Sequence, residues 1–277
     1  MPLLSSLKRF DSTNLRLRII SAAILMPVII LAVYLGGIAY GAVLVFALVI
    51  GLYEWLRLVS PAMRTRTIAF ACAILMIVLT IGILFSISCA AVIGAVLTLV
   101  LFLLARRNED HHAGLIALSI PYMAGSGLAL LYLRDAPGYG AALVFYLLLT
   151  VWGTDVGAYI AGRSIGGPKL APSISPSKTW AGLLGGMVLA TVFGYFSAVA
   201  LGAQQPSLSL LFSPLLAVIA QAGDLFESYF KRRSGVKESG DIIPGHGGIL
   251  DRIDGLVFAG IALALFQATL GERFGWW

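Results

Sequence analysis

Three stretches of this chain hold the residue types that phosphate chemistry needs. The most telling runs from Ser228 to Asp254. Its basic cluster, Lys231-Arg232-Arg233, is followed by Lys237-Glu238, then by His246-Gly247-Gly248, then by Asp251-Arg252-Ile253-Asp254. Phosphoryl and nucleotidyl transfer ask for cations to neutralise phosphate oxygens, carboxylates to hold a metal, and backbone that can approach closely. Asp251 and Asp254 stand three residues apart, and Asp224, Glu227 and Ser228 stand at i, i+3 and i+4, so each set shares one helical face. Asp155 has Tyr159 one turn further on its own face. A second loop, 162–179, alternates Gly162, Gly166 and Gly167 with Arg163, Lys169 and Lys178 and with hydroxyls that include Ser175 and Ser177. Glycine lets backbone approach a ligand, and Ser or Thr at a helix start leaves amide donors facing an anion. Ser175-Pro176-Ser177-Lys178-Thr179 leads straight into an apolar run, which suits a helix cap.

Hard cations such as Mg²⁺ take oxygen ligands and are held by one or two carboxylates plus substrate phosphates. Asp155, Asp224, Asp251 and Asp254 are therefore the candidate metal ligands. The remaining polar residues read more plainly. Glu54, three residues before Arg57, is expected to form an ion pair at a helix end. His111 and His112, after Arg106-Arg107-Asn108-Glu109-Asp110, read as solvated loop residues. Cys72 and Cys89 fall near opposite ends of neighbouring apolar runs, which disfavours a disulfide and suits small packing residues.

The elements that must carry these groups are membrane helices. Of 277 residues, 59% are hydrophobic and 12% are charged, against roughly 25% charged in an ordinary globular domain. That composition excludes a disordered chain, a disulfide scaffold and a soluble nucleic-acid binder, despite a formal charge of +6. Apolar runs long enough to cross a bilayer as helices fall at 19–36, 39–58, 67–87, 89–105, 113–133, 140–161, 180–202, 208–227 and 254–271. The expected fold is an all-α polytopic integral membrane protein of about nine transmembrane helices. The third and fourth runs nearly touch at Ser86–Cys89, as in a tight helical hairpin. Seventeen of the nineteen Lys and Arg residues fall on one side of this arrangement, and only Arg134 and Arg273 on the other. Basic residues stay in the cytoplasm, so the amino terminus is expected inside and the carboxyl terminus outside. The polar start runs into the first span without a cleavage-site pattern, so no signal peptide is expected, and no lipidation motif stands at either end. Residues 1–277 read as one membrane domain without an internal repeat. Plain apolar helices fill 1–139, and the helices and loops with chemical potential fill 140–277.

The residues from Ser228 onward resemble the phosphatidate cytidylyltransferase (CDP-diacylglycerol synthase) family. Its signature is matched by Ser228, Lys231, Arg232, Lys237, Gly240, Ile243, Pro244, His246, Gly247, Gly248, Asp251, Arg252 and Asp254, with the same gaps. One position departs, because Glu238 stands where the signature has Asp. Gly223-Asp224-Leu225-Phe226-Glu227, Asp155 with Tyr159 and Gly162, and Leu170-Ala171-Pro172 with Ser175 to Trp180 resemble the family's upstream elements. Ser177 and Ala181 stand where members often differ.

The resemblance implies a nucleotidyltransferase that joins CTP and phosphatidic acid into CDP-diacylglycerol and pyrophosphate for phospholipid synthesis. It implies Mg²⁺, with a monovalent cation beside it left open. By the resemblance, Asp224, Ser228, Lys231, Asp251 and Asp254 are catalytic. Asp224, Asp251, Asp254 and Asp155 hold metal. Ser175, Lys178, Arg232, Lys237, His246, Gly247, Gly248 and Arg252 bind substrate. The expected setting is the bacterial inner (plasma) membrane, among membrane lipids, with the active site facing the cytoplasm, no nucleic-acid partner, and a homodimer left open. Two alternatives stand beside it: a CTP-dependent lipid kinase of the polyprenol type, and a secondary transporter with Asp155 and Asp224 as a proton relay.

Overall fold

The computed structural model describes residues 12–107, 112–245 and 247–277. Every expected span coincides with a helix: α1 (Ser12–Leu35), α2 (Gly37–Val59), α3 (Thr65–Leu84), α4 (Ile87–Arg107), α5 (Ala113–Arg134), α6 (Gly140–Ser164), α7 (Trp180–Ala200), α8 (Ser209–Arg233) and α9 (Leu250–Phe266). A bilayer leaves unpaired backbone groups no water to bond, so apolar segments must close their hydrogen bonds internally. Eight helices are long and apolar enough to span among the described residues, α9 together with the π-helical turn Gln267–Gly271 that prolongs it. The apolar part of α1, Ile20–Leu35, is shorter. The chain is thus an all-α polytopic membrane protein. As expected, only Phe85 and Ser86 separate α3 from α4, and both cysteines are free, with Cys72 packed against the core.

Three differences from the sequence reading bear on the site. Helix α8 continues past residue 227 to Arg233, so Ser228, Lys231 and Arg232 ride on a helix and not in a loop. Helix α9 starts at Leu250, which makes Asp251 a first-turn residue. Both extensions are polar, so apolarity alone stops short of them. The loop after α6 folds into an antiparallel hairpin, β1 (Lys169–Ala171) and β2 (Ser175–Thr179), with Lys169 opposite Thr179 and Ala171 opposite Ser175. Its exit is the expected cap: Thr179 Oγ1 accepts the Gly182 amide at 3.0 Å and starts α7.

Small residues set the tightest packing. Gly153 and Gly157 of α6 lie against the α7 backbone near Leu189 and Gly185, where a Cβ on either glycine would run into a carbonyl. Close backbone approach of this kind drives helix association where lipid removes the hydrophobic incentive. Helix α5 is the buried centre, with Ile116, Ile120 and Met123 nearly inaccessible. By contrast, α4 exposes Val92, Val96, Leu99 and Leu103, the lipid-facing habit of an outer helix. Helix α9 packs on α8, α5 and α2, so the two halves of the sequence share one bundle. Trp55 of α2 is fully buried and stacks on Phe226 of α8, with ring centroids 5.7 Å apart and planes 8° apart. Tyr122 of α5 and Phe230 of α8 lie 5.0 and 4.9 Å from the same ring. This aromatic cluster forms the floor on which the polar groups stand.

The helix ends gather in two groups. At one end, Ser234 after α8 donates to the Leu58 carbonyl of α2 at 2.6 Å, and Arg232 donates to Ile174 in the hairpin at 3.3 Å. At the other, Arg134 at the end of α5 donates to Val33 O at 2.7 Å and Tyr34 O at 3.1 Å, closing the last turn of α1. Arg134, one of the two basic residues expected on this side, is thus a helix cap.

Candidate active site

The first group of helix ends encloses a cleft of about 490 Å³ between α6, the hairpin, α7 and α8. Asp155, Tyr159, Arg163, Lys178, Gln221 and Asp224 line it. Each is delivered by a helix end or by the hairpin that the Thr179 cap anchors. Lys178 Nζ lies 2.5 Å from Asp224 Oδ2 and donates to Gln221 Oε1 at 2.8 Å. The other oxygen of Asp224 accepts from Ser228 Oγ at 3.2 Å. With 35% of its side chain accessible, Asp224 keeps lone pairs facing the cleft. Arg163 donates to the Tyr159 hydroxyl at 2.8 Å along the exposed rim. The cleft therefore offers cations for an anionic guest and an open carboxylate in its wall.

Behind this wall lies a closed centre. Lys231 Nζ sits between two carboxylates, 2.9 Å from Glu227 Oε2 and 2.7 Å from Asp251 Oδ1. Asp251 also accepts the Ser239 amide on both oxygens, at 3.2 and 3.0 Å, and the Gly248 amide at 2.9 Å. Glu227 is wholly buried, and among the described residues its second oxygen, Oε1, accepts no hydrogen bond. A buried polar atom without a partner is costly. Asp254 faces Glu227 from α9, and its Oδ1 accepts the Gly255 amide at 2.7 Å. The two helices can bring these acids together because Gly223 of α8 lies at the Asp254 backbone. A Cβ there would come within 2.6 Å of the Asp254 carbonyl oxygen.

Of the residues singled out from the sequence, Asp224, Ser228, Lys231, Asp251 and Asp254 come together where α8 crosses α9, and Asp155 and Lys178 join them across the cleft. Arg252 is exposed at the start of α9 with its charge close to Asp155. Ser175 is half-buried on β2 and does not line the cleft. Arg232 holds the hairpin and the Val236 carbonyl, and Lys237 is exposed. Gly247 and Gly248 are buried beside Asp251 and Ser239, with Glu238 next to Gly247. His246 and His111 lie outside the described residues.

Four further residues belong to the site. Gln221 fixes Lys178, Glu227 and Ser239 hold the closed centre, and Glu54 is buried among them. Glu227 was visible through its spacing from Asp224. Glu54 overturns the expected helix-end ion pair. Its oxygens accept the Ile249 amide at 3.1 Å and the Leu250 amide at 2.8 Å, and Arg57 instead reaches the Pro61 and Met63 carbonyls. The signal available for Glu54 was the cost of an acid inside an apolar run.

The donor set suits a hard cation that completes its shell with substrate oxygens. Five carboxylates (Asp155, Asp224, Glu227, Asp251, Asp254) meet three cations (Lys178, Lys231, Arg252), and Glu227 Oε1 accepts no hydrogen bond among the described residues. Among the described residues no three acids, histidines or cysteines form a ready-made cage. Mg²⁺ at a phosphate-transfer site does not need one, since it usually keeps substrate oxygens among its ligands.

A helical membrane protein with a basic, carboxylate-walled cleft at one end of its bundle has the makings of an enzyme for phosphorylated substrates that meet at a membrane surface. The chain matches the Cytidylyltransferase family over residues 16–270 and belongs to it. It is 37% identical over 269 residues to a phosphatidate cytidylyltransferase of Brucella suis, covering 94% of this chain and 96% of the relative. It is 34% identical over 274 residues to one of Pseudomonas aeruginosa, covering 95% and 98%. One of Bacillus subtilis is 42% identical over 146 residues, about half of each chain.

Proposed function

We propose that the chain is a phosphatidate cytidylyltransferase, transferring the cytidylyl group of CTP to phosphatidate and releasing pyrophosphate. The observation that carries this reading is the Lys178–Asp224 pair in the wall of an open cleft, backed by relatives of that name over nearly the full chain. A phosphatidate oxygen forms a bond to the alpha phosphorus of CTP as the bond from that phosphorus to the pyrophosphate oxygen breaks. Little covalent work falls to the protein, which must hold two anions in line and neutralise them.

The cleft takes the nucleotide phosphates, with Lys178 and Arg163 as its cations, Arg252 near Asp155, and the exposed Arg232 and Lys237 as further phosphate contacts. Asp224 and Asp155, with Asp254 behind them, would hold Mg²⁺, which supplies charge neutralisation at the phosphate oxygens. Asp251 and Lys231 hold each other, so either reaches a metal or a phosphate only by giving up a partner. Ser228 orients Asp224. The lipid's tails remain among membrane lipids while its phosphate sits at the depth of these helix ends. The basic loops and the site share one end of the bundle, which favours a cytoplasmic face of the bacterial plasma membrane, where CTP is made. A homodimer and a monovalent cation beside Mg²⁺ fit this reading without being required by it.

The test is incorporation of alpha-labelled CTP into chloroform-soluble lipid by the purified protein with phosphatidate, with and without chelator. Label should enter the lipid and the chelator should abolish it. Transfer of gamma label alone would instead identify a CTP-dependent lipid kinase, and uptake into vesicles without a lipid product a transporter.

A further inference from the structure

Glu54 lies in the half of the sequence that carries no recognisable chemistry, yet it is only 2% exposed at the edge of the site. It comes from α2, almost 200 residues before the groups it holds. Its Oε1 accepts the Ile249 amide at 3.1 Å, and its Oε2 accepts the Leu250 amide at 2.8 Å and the Ser239 hydroxyl at 3.3 Å. The first two donors open α9. Amides of a first turn have no partner within their own helix, and a negative charge there is favoured by the helix dipole. The loop before α9 closes round the carboxylate on both sides. A Cβ at Gly240 would stand 2.5 Å from Glu54 Oε1, and one at Gly248 2.6 Å from Oε2.

The same loop holds the closed centre. The Ser239 amide donates to Asp251, and its hydroxyl donates to Glu54. The Gly248 amide also donates to Asp251 at 2.9 Å, and Asp251 in turn holds Lys231 at 2.7 Å. Glu54, Ser239, Asp251, Lys231 and Glu227 form one unbroken chain of hydrogen bonds. Arg57, the partner suggested by spacing, takes no part in it.

We infer that Glu54 is a positioning residue for the transfer reaction. It fixes the 239–250 loop and the start of α9, and through them the Asp251–Lys231 pair beside the reacting phosphates. The catalytic part of this inference rests on the cytidylyl-transfer reading, and the ordering of the loop does not. Glu54→Gln keeps the shape but presents one acceptor oxygen, and an amide nitrogen, to three donors. It should therefore loosen the loop without emptying the nucleotide cleft.

Glu54→Gln, Glu54→Ala and Arg57→Ala are purified in detergent beside the wild type. Amide exchange across 239–250 is then measured on each, together with kcat and KM for CTP. Glu54→Gln should speed exchange in that segment at least tenfold while α4 to α7 exchange as before. Its kcat per folded molecule should fall ten- to a hundredfold with KM for CTP within twofold, and Glu54→Ala should fall at least as far. Arg57→Ala should match the wild type in both measurements. A merely structural Glu54 would lower the folded yield and leave kcat per folded molecule unchanged. The inference is overturned by that result, by unchanged exchange in Glu54→Gln, or by an Arg57→Ala that reproduces the loss. A wild type that moves no alpha label into lipid would defeat the transfer reading, and the exchange measurement would still decide whether Glu54 holds the loop.

Discussion

Two carboxylate centres meet where α8 crosses α9 and are built in opposite ways. Around Asp251 the donors are complete: a lysine and the amides of Ser239 and Gly248, with side-chain exposures of 10% for Lys231, 6% for Asp251 and 0% for Glu227. Around Asp224 there are one lysine, one hydroxyl and an open cleft, with 35% of the side chain accessible. A buried ion pair recovers little more than its own desolvation cost. The closed centre therefore contributes position more than stability. The open centre retains the lone pairs and the space that a ligand needs. Loss of a group from the first should be felt by the fold as well as by the reaction it positions, and loss from the second by the chemistry alone.

Asp224→Asn tests the contrast most strongly. It preserves size and the Ser228 contact but removes the charge that faces the cleft. Transfer of alpha label should fall at least about a thousandfold, close to 4 kcal/mol of barrier. The variant should still insert, elute as a single species and melt within a few degrees of the wild type. Activity within tenfold of wild type would show that the open centre does no chemistry.

Lys231→Met adds a loss of stability to a loss of activity. It leaves Glu227 and Asp251 buried without their shared cation, a change that costs about 3–5 kcal/mol when one partner of a buried pair is removed. Thermal unfolding in detergent should register that loss before any assay does. A destabilisation under about 1 kcal/mol would place Lys231 with ordinary surface pairs and erase the distinction between the centres.

How legible these centres were differs in the same way. The bundle was readable because lipid permits few solutions, and the basic residues mark one set of loops. The open centre was readable because Asp224 and Ser228 share a helical face. The closed centre was only half readable. Lys231 and Asp251 were visible as residue types, but their pairing needs α8 to run on to Arg233 and α9 to begin at Leu250, and polar turns leave no apolar signal. Glu54 looked like the partner of Arg57 because local spacing is all that a sequence presents, and its true partners are backbone amides far along the chain. The 169–179 hairpin was missed for a related reason: short strands rich in Ser, Pro and Lys carry no hydrophobic alternation.

The smallest expected effect falls on Thr179, and it separates the centres by their supports. Lys178 stands on the last strand before α7, and the hydroxyl of Thr179 accepting from Gly182 joins that strand to the helix. The hydroxyl is buried beside Gly162, where β2 meets the end of α6. Thr179→Ala removes an N-cap and should cost about 1 kcal/mol, seen as a small drop in melting temperature. Because Lys178 then loses its anchor, KM for CTP should rise severalfold with kcat nearly unchanged, and amide exchange in 239–250 should not move. Thr179→Ser, which restores the hydroxyl, should return KM to the wild-type value. Should Thr179→Ala instead lower kcat and loosen 239–250, the two centres would share one support, and the division of labour between an open binding wall and a closed positioning core would have to be abandoned.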